Sequence, residues 1–131
     1  MKIIAKNSNL VFKKQTPPEW IDVVISEITG KAISGILPNQ TVVVKAEILE
    51  NTGTAQTCRP YVGVGTETRV NTFEKLFDAI SATPGTKMPE QSVVMSNLSD
   101  ESPMMRLGMY SPSEGVKPNG VTIKFSYYVK S

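Results

Sequence analysis

Histidine is absent from these 131 residues, and cysteine occurs once, as Cys58. Without histidine there is no Ser-His-Asp or Cys-His nucleophile arrangement, no usual zinc-water site and no imidazole base working near neutral pH. A single cysteine excludes an intramolecular disulfide and a Cys-rich metal site. Charge of one sign is also lacking. Lys plus Arg is 14 against 12 for Asp plus Glu, a net +2, too little for a nucleic-acid binder that works by bulk charge. No run approaches the roughly 18 apolar residues of a membrane span. Between Lys2 and Lys6 the apolar stretch is only Ile3, Ile4 and Ala5, whereas a secretory signal needs roughly 7–15. The carboxylates are scattered. Asp100-Glu101 lies in the polar run Ser96 to Ser102 and has neither calcium-loop spacing nor an evident partner for glycosidic chemistry. Gly63-Val64-Gly65 lacks the Lys-Ser/Thr end of a phosphate loop. The expectation is a non-enzymatic protein with no cofactor, no metal site, no nucleic-acid partner and no membrane partner.

What is present reads as strands between turns. Trp20 to Ile28 is rich in β-branched residues. In Thr41 to Glu50, Val42, Val44, Ala46 and Ile48 alternate with Lys45 and Glu47, the period of two of a half-buried strand. Arg59 to Gly65 alternates again, and Pro60 predicts that this strand begins there or lies at a sheet edge. Gln91 to Met95 is a short strand candidate, and Met105, Leu107 and Met109 alternate with Arg106, Gly108 and Tyr110. In the last strand Val121, Ile123, Phe125, Tyr127 and Val129 share one face, and Thr122, Lys124, Ser126, Tyr128 and Lys130 the other. Asn71 to Ala82 differs. Phe73, Leu76, Phe77 and Ile80 have helical spacing, and Asn71 with Glu74 resembles a capping box, so a short helix is predicted there. Several short strands, each with one apolar face, predict an all-β fold: an antiparallel two-sheet β-sandwich with one short helix.

Pro17-Pro18 marks a break near the N-terminus. Residues 1–16 are expected to be an arm or attachment segment and residues 17–131 the sandwich domain. The arm carries Ile3, Ile4, Leu10, Val11 and Phe12, many apolar residues for an indifferent tail. They are the assembly candidates, for a closed homo-oligomer. The binding candidates lie opposite the apolar stripes of three strands: Arg59 with Tyr61, Arg106 with Tyr110, and Lys124 with Tyr128. An aromatic ring beside a cation suits a sugar ring or a partner side chain. They also suit the plain outward face of a sheet. Trp20 is either a plug at the sandwich end or a stacking platform. Cys58 reads as a small, half-buried residue rather than a nucleophile.

From Thr41 to the C-terminus the chain resembles jelly-roll carbohydrate-binding-module-like domains. The resemblance rests on Val42-Val43-Val44-Lys45-Ala46-Glu47, Arg59-Pro60-Tyr61-Val62-Gly63-Val64-Gly65, Met105-Arg106-Leu107-Gly108-Met109-Tyr110-Ser111 and Val121-Thr122-Ile123-Lys124-Phe125-Ser126-Tyr127-Tyr128-Val129. The opening Met1-Lys2-Ile3-Ile4-Ala5-Lys6-Asn7-Ser8-Asn9-Leu10-Val11-Phe12 is similar to the starts of small virion proteins of tailed gut bacteriophages. Together these imply a virion accessory protein (capsid decoration, head fibre or tail-associated), made in the host cytoplasm without a signal peptide. Its implied partners are other copies of itself, other virion proteins and a host surface glycan. The alternative is a stand-alone carbohydrate-binding module. Sugar-binding members of such families often present several Trp residues, and here Trp20 stands alone.

Overall fold

The computed structural model describes residues 18–27, 30–110 and 119–130. Among them are nine strands: β1 (Ile21–Ile25), β2 (Lys31–Ile33), β3 (Thr41–Asn51), β4 (Thr57–Gly65), β5 (Val70–Leu76), β6 (Ile80–Ser81), β7 (Lys87–Val94), β8 (Met104–Tyr110) and β9 (Val121–Lys130). They make two antiparallel sheets, a four-stranded one in the order β1-β9-β3-β7 and a five-stranded one in the order β2-β8-β4-β5, with β6 paired to β4. The two sheets form a β-sandwich. Along the chain, β4 and β5 are neighbours in one sheet. Every other step between main strands, with β6 set aside, crosses to the opposite sheet.

The period of two decides what each strand buries. β3 turns Val42, Val44, Ala46 and Ile48 inward, opposite Val129, Tyr127, Phe125 and Ile123 of β9. The facing sheet contributes Cys58, Val62 and Val64 from β4 and Met105, Leu107 and Met109 from β8. Burying each aliphatic or aromatic side chain of this kind stabilises by about 1.5–3 kcal/mol. These faces match the sequence expectation except at Cys58, which the sequence places half-buried ahead of the strand and the structure places fully buried within it.

The predicted helix is absent, and the bulges of β5 explain the misleading spacing. Tyr61, Gly63 and Gly65 share one face of β4 and pair with Leu76, Phe73 and Val70. Between those pairs β5 carries one extra residue each time, Glu74 and then Asn71. A bulge sets two residues against one, so side chains three apart, Val70, Phe73 and Leu76, come to the same face of a strand. The period of three is thus produced by two bulges and not by helical winding. Nor do Asn71 and Glu74 cap anything. As bulged residues they reach the connection between β7 and β8. The Glu74 carboxylate accepts from the Ser96 hydroxyl at 2.9 Å, the Asn97 N–H at 3.0 Å and the Asn97 carboxamide at 3.1 Å, and the Asn71 carboxamide donates to the Ser102 hydroxyl.

Both strand prolines lie inside strands. Pro60 sits within β4, between β8 and β5, rather than at its start or on an edge. Its carbonyl accepts the Phe77 N–H at 3.0 Å. In an antiparallel ladder the N–H of a residue faces the same side as its carbonyl, so the missing donor falls in the gap between β5, which ends at Leu76, and β6, which begins at Ile80. Pro89 lies in β7, an edge strand, where the lost donor faces no neighbour. β7 therefore starts at Lys87, earlier than the predicted Gln91. The arm candidates Ile3, Ile4, Leu10, Val11 and Phe12, and the predicted end of the first strand at Ile28, lie outside the described residues.

Cys58 is fully buried, and burial pushes its thiol up to about 11. A raised thiol pKa means that the neutral form is favoured on folding. That contribution is complete below the unfolded value near 9 and is lost between about 9 and about 11 as pH rises. Native protein at pH 8 should therefore give no fast reaction with a disulfide reagent and should react only on addition of denaturant. Full labelling within seconds without denaturant would refute this.

Candidate ligand-binding site

The six strand-borne candidates divide between the two outer faces of the sandwich. Arg59 and Tyr61 on β4 and Arg106 and Tyr110 on β8 share the outer face of the five-stranded sheet, with Arg59 opposite Tyr110 and Tyr61 opposite Gly108. Lys124 and Tyr128 lie on the other sheet because β9 belongs to it. They are not one platform.

On the five-stranded sheet Tyr61 lies flat across Gly108. A Cβ at that position would sit 2.4 Å from the phenol oxygen, so only glycine admits the ring. Tyr61 is 6% exposed and Arg106 1%. The Arg106 guanidinium donates to the Thr66 carbonyl at 2.5 Å, and Arg59 Nε donates to the Phe77 carbonyl at 2.5 Å. Burial pushes the Tyr61 phenol above its ordinary pKa, against the opposing charge of Arg106. Tyr61 and Arg106 therefore belong to the packing of this sheet. What the face presents is Phe73, 47% exposed, and half-buried Tyr110. Phe73 meets Tyr61 edge-on at 4.9 Å between centroids and stacks on Tyr110 at 6.1 Å. The helical spacing of the sequence hid Phe73 from the candidate set.

The outer face of the four-stranded sheet is different in kind. Register places Val24, Lys124, Glu47 and Lys87 in one row across β1, β9, β3 and β7. Asp22, Ser126 and Lys45 form the next row, and Tyr128 and Val43 the one beyond. Trp20 is outside the core cluster. It packs edge-on against Tyr128 at 4.9 Å, with Lys45 Nζ 4.1 Å from its ring centroid. Such a cation over an indole contributes about 0.5–1 kcal/mol at an exposed site. The Ser126 hydroxyl donates to Asp22 at 2.7 Å. These side chains surround an open groove of about 380 Å³ lined by Trp20, Asp22, Lys45, Glu47, Lys87 and Lys124, with Pro89 and Met88 at the β7 side. Two candidates, Trp20 and Lys124, meet here, with Tyr128 buttressing Trp20. Lys45, Lys87, Asp22 and Glu47 escaped the sequence reading. Lys45 and Glu47 do lie on the outward parity of β3, but nothing in the sequence says that β7 and β9 flank them.

Among the described residues no three His, Cys, Asp or Glu side chains gather as a metal site, and no helix is long and apolar enough to cross a membrane. Compared with known proteins, the chain matches no family model, no curated protein and no solved structure.

Proposed function

We propose that the protein is a non-enzymatic accessory component of a tailed-bacteriophage virion, a decoration, head-fibre or tail-associated protein, made in the host cytoplasm. Its sandwich displays a ligand-binding groove, and residues 1–16 join it to other copies and to other virion proteins. The observation that carries the binding role is the groove on the four-stranded sheet, where an indole, three ammonium groups and two carboxylates surround a volume of about 380 Å³. That volume lies in the range of small-molecule clefts, roughly 300–1,000 Å³. We read the sandwich as jelly-roll-like. Support comes from the strand order, in which chain neighbours alternate between sheets around the single β4–β5 hairpin. Jelly rolls serve as both viral capsid and lectin domains. The virion assignment itself rests on the resemblance of the N-terminal residues.

Light scattering tests the assembly half. The full chain should be a closed oligomer, a trimer by analogy with virion fibres and decorations. A chain starting at Gln15 should be a monomer with unchanged circular dichroism. Monomers in both cases would remove the assembly role, and unfolding of the shortened chain would assign the segment to its own core.

The second reading is a stand-alone carbohydrate-binding module. The exposed stack of Phe73 on Tyr110 favours it, since an exposed aromatic face can hold a sugar ring. A glycan array separates the two surfaces. Loss of signal in Trp20→Ala assigns binding to the groove, and loss in Phe73→Ala assigns it to the opposite face. An aromatic contact is worth about 0.5–1.5 kcal/mol, a drop of roughly two- to tenfold. A monomer that binds glycan would support the module over the virion component.

A further inference from the structure

We infer that the groove on the four-stranded sheet takes an acidic saccharide, a sugar unit bearing a carboxylate, with its anionic group held between Lys124, Lys45 and Lys87. The inference rests on the groove being the ligand site.

Three strands each bring an ammonium group to this surface: Lys45 from β3, Lys87 from β7 and Lys124 from β9. Register makes the convergence obligatory. Lys124 and Lys87 both lie directly opposite Glu47, one on each side. Neighbouring strands are about 4.8 Å apart, so the two lysines start about 10 Å apart across β3. Both side chains are long enough to close on a group seated over Glu47. Lys45 stands two residues along β3, on the same face. Among the described residues, none of the three ammonium groups forms an ion pair within 4.0 Å with Glu47 or Asp22. Asp22 already accepts the Ser126 hydroxyl. The groove therefore holds three cations against Glu47 and a partly engaged Asp22, a surplus of positive charge that an anion would balance.

The remaining lining identifies what carries that anion. Glu47, half-buried between two lysines, is an acceptor for hydroxyl donors. A second or third anionic group beside it would be repelled, which disfavours a phosphate backbone with its regular run of charges. Trp20 and Pro89 supply apolar walls. A ligand with one carboxylate, several hydroxyls and an apolar ring face meets all three features. An acidic peptide would satisfy the lysines and can donate backbone N–H groups to Glu47, but a run of acidic residues offers no ring face to the Trp20 indole.

Calorimetric titration of the full chain with the methyl glycoside of galacturonic acid, which carries one carboxylate, its methyl ester and polyglutamate tests this. The acid should bind, and the ester, which keeps the sugar and loses the charge, should bind at least about threefold more weakly. Lys124→Met should abolish that difference while thermal unfolding is unchanged. Glu47→Gln should strengthen binding of the acid. Equal affinity for acid and ester, weakened alike by Trp20→Ala, would overturn the acidic preference and leave the groove as a neutral-sugar site. Polyglutamate binding without either saccharide would overturn the saccharide. No binding of any probe, together with a blank array of neutral glycans, would overturn both the preference and the groove as a ligand site.

Discussion

Phe125→Ala is expected to lower the unfolding free energy by about 3–5 kcal/mol, the usual cost of removing a fully buried aromatic ring. Phe125 lies in β9 with no solvent exposure, directly opposite Ala46 of β3. The small alanine leaves the space that the ring fills, and the core on either side is closed by Val44, Ile48, Ile123 and Tyr127. These neighbours belong to strands hydrogen-bonded on both sides, so they have little freedom to collapse into the cavity. A domain of this size has roughly 5–15 kcal/mol in total, so the loss is a large share. Urea unfolding should show a lower midpoint with the slope retained. Phe125→Leu should cost less, because most of the volume remains. A cost below about 1 kcal/mol for the alanine variant would place the ring outside the core and refute the register of β3 with β9.

Asn51→Asp is expected to cost about 2–3 kcal/mol, more than Asn51→Ala, although it exchanges only the amide nitrogen for an oxygen. The Asn51 carboxamide donates to the Ala55 carbonyl at 2.9 Å and the Ala82 carbonyl at 3.2 Å, and its oxygen accepts the Gly53 N–H at 3.0 Å. One half-buried side chain thus closes the turn after β3 and holds the residue following β6 against it. Aspartate keeps the acceptor for Gly53. It loses both donors and sets a carboxylate oxygen against two carbonyl oxygens. Alanine removes the donors without adding that repulsion. Reversible unfolding near pH 7 measures the order of the two variants. At low pH the carboxyl group introduced by Asn51→Asp is protonated and regains one donor, so the gap between the variants should narrow as pH falls through the carboxylate range. Equal costs at both pH values would show that the two carbonyl contacts contribute little.

The two outer faces show how far local pattern carries. In β3, β4, β8 and β9 the alternation identified each inward residue but Cys58, because a strand's side chains alternate whatever it is paired with. The same parity identified Arg59, Tyr61, Arg106, Tyr110, Lys124 and Tyr128 as outward. It contained no information on sheet membership, which depends on pairing between residues far apart in the chain. Tyr128 and Tyr61 have the same local pattern, yet one supports an indole beside a charged groove and the other lies buried under Phe73 on Gly108.

Bulges are the other source of difference. Phe73 and Leu76 are three apart, and sequence periodicity alone assigns that spacing to a helix. Partner strand β4 decided otherwise, with Gly63 and Gly65 accepting a β5 that carries two extra residues. Pro60 was legible as a disruption of pairing but not as an interior one, since only the break between β5 and β6 leaves room for its missing donor.

By itself, then, the sequence determined the all-β class, the inward face of the principal strands and the lack of imidazole and disulfide chemistry. Those properties follow from composition and from a period of two that each strand carries alone. The tertiary structure decided which strands share a sheet, where β5 bulges, and that Lys124, Glu47 and Lys87 lie side by side. Each of these depends on hydrogen bonds between distant segments, and no residue records its partner across the sheet.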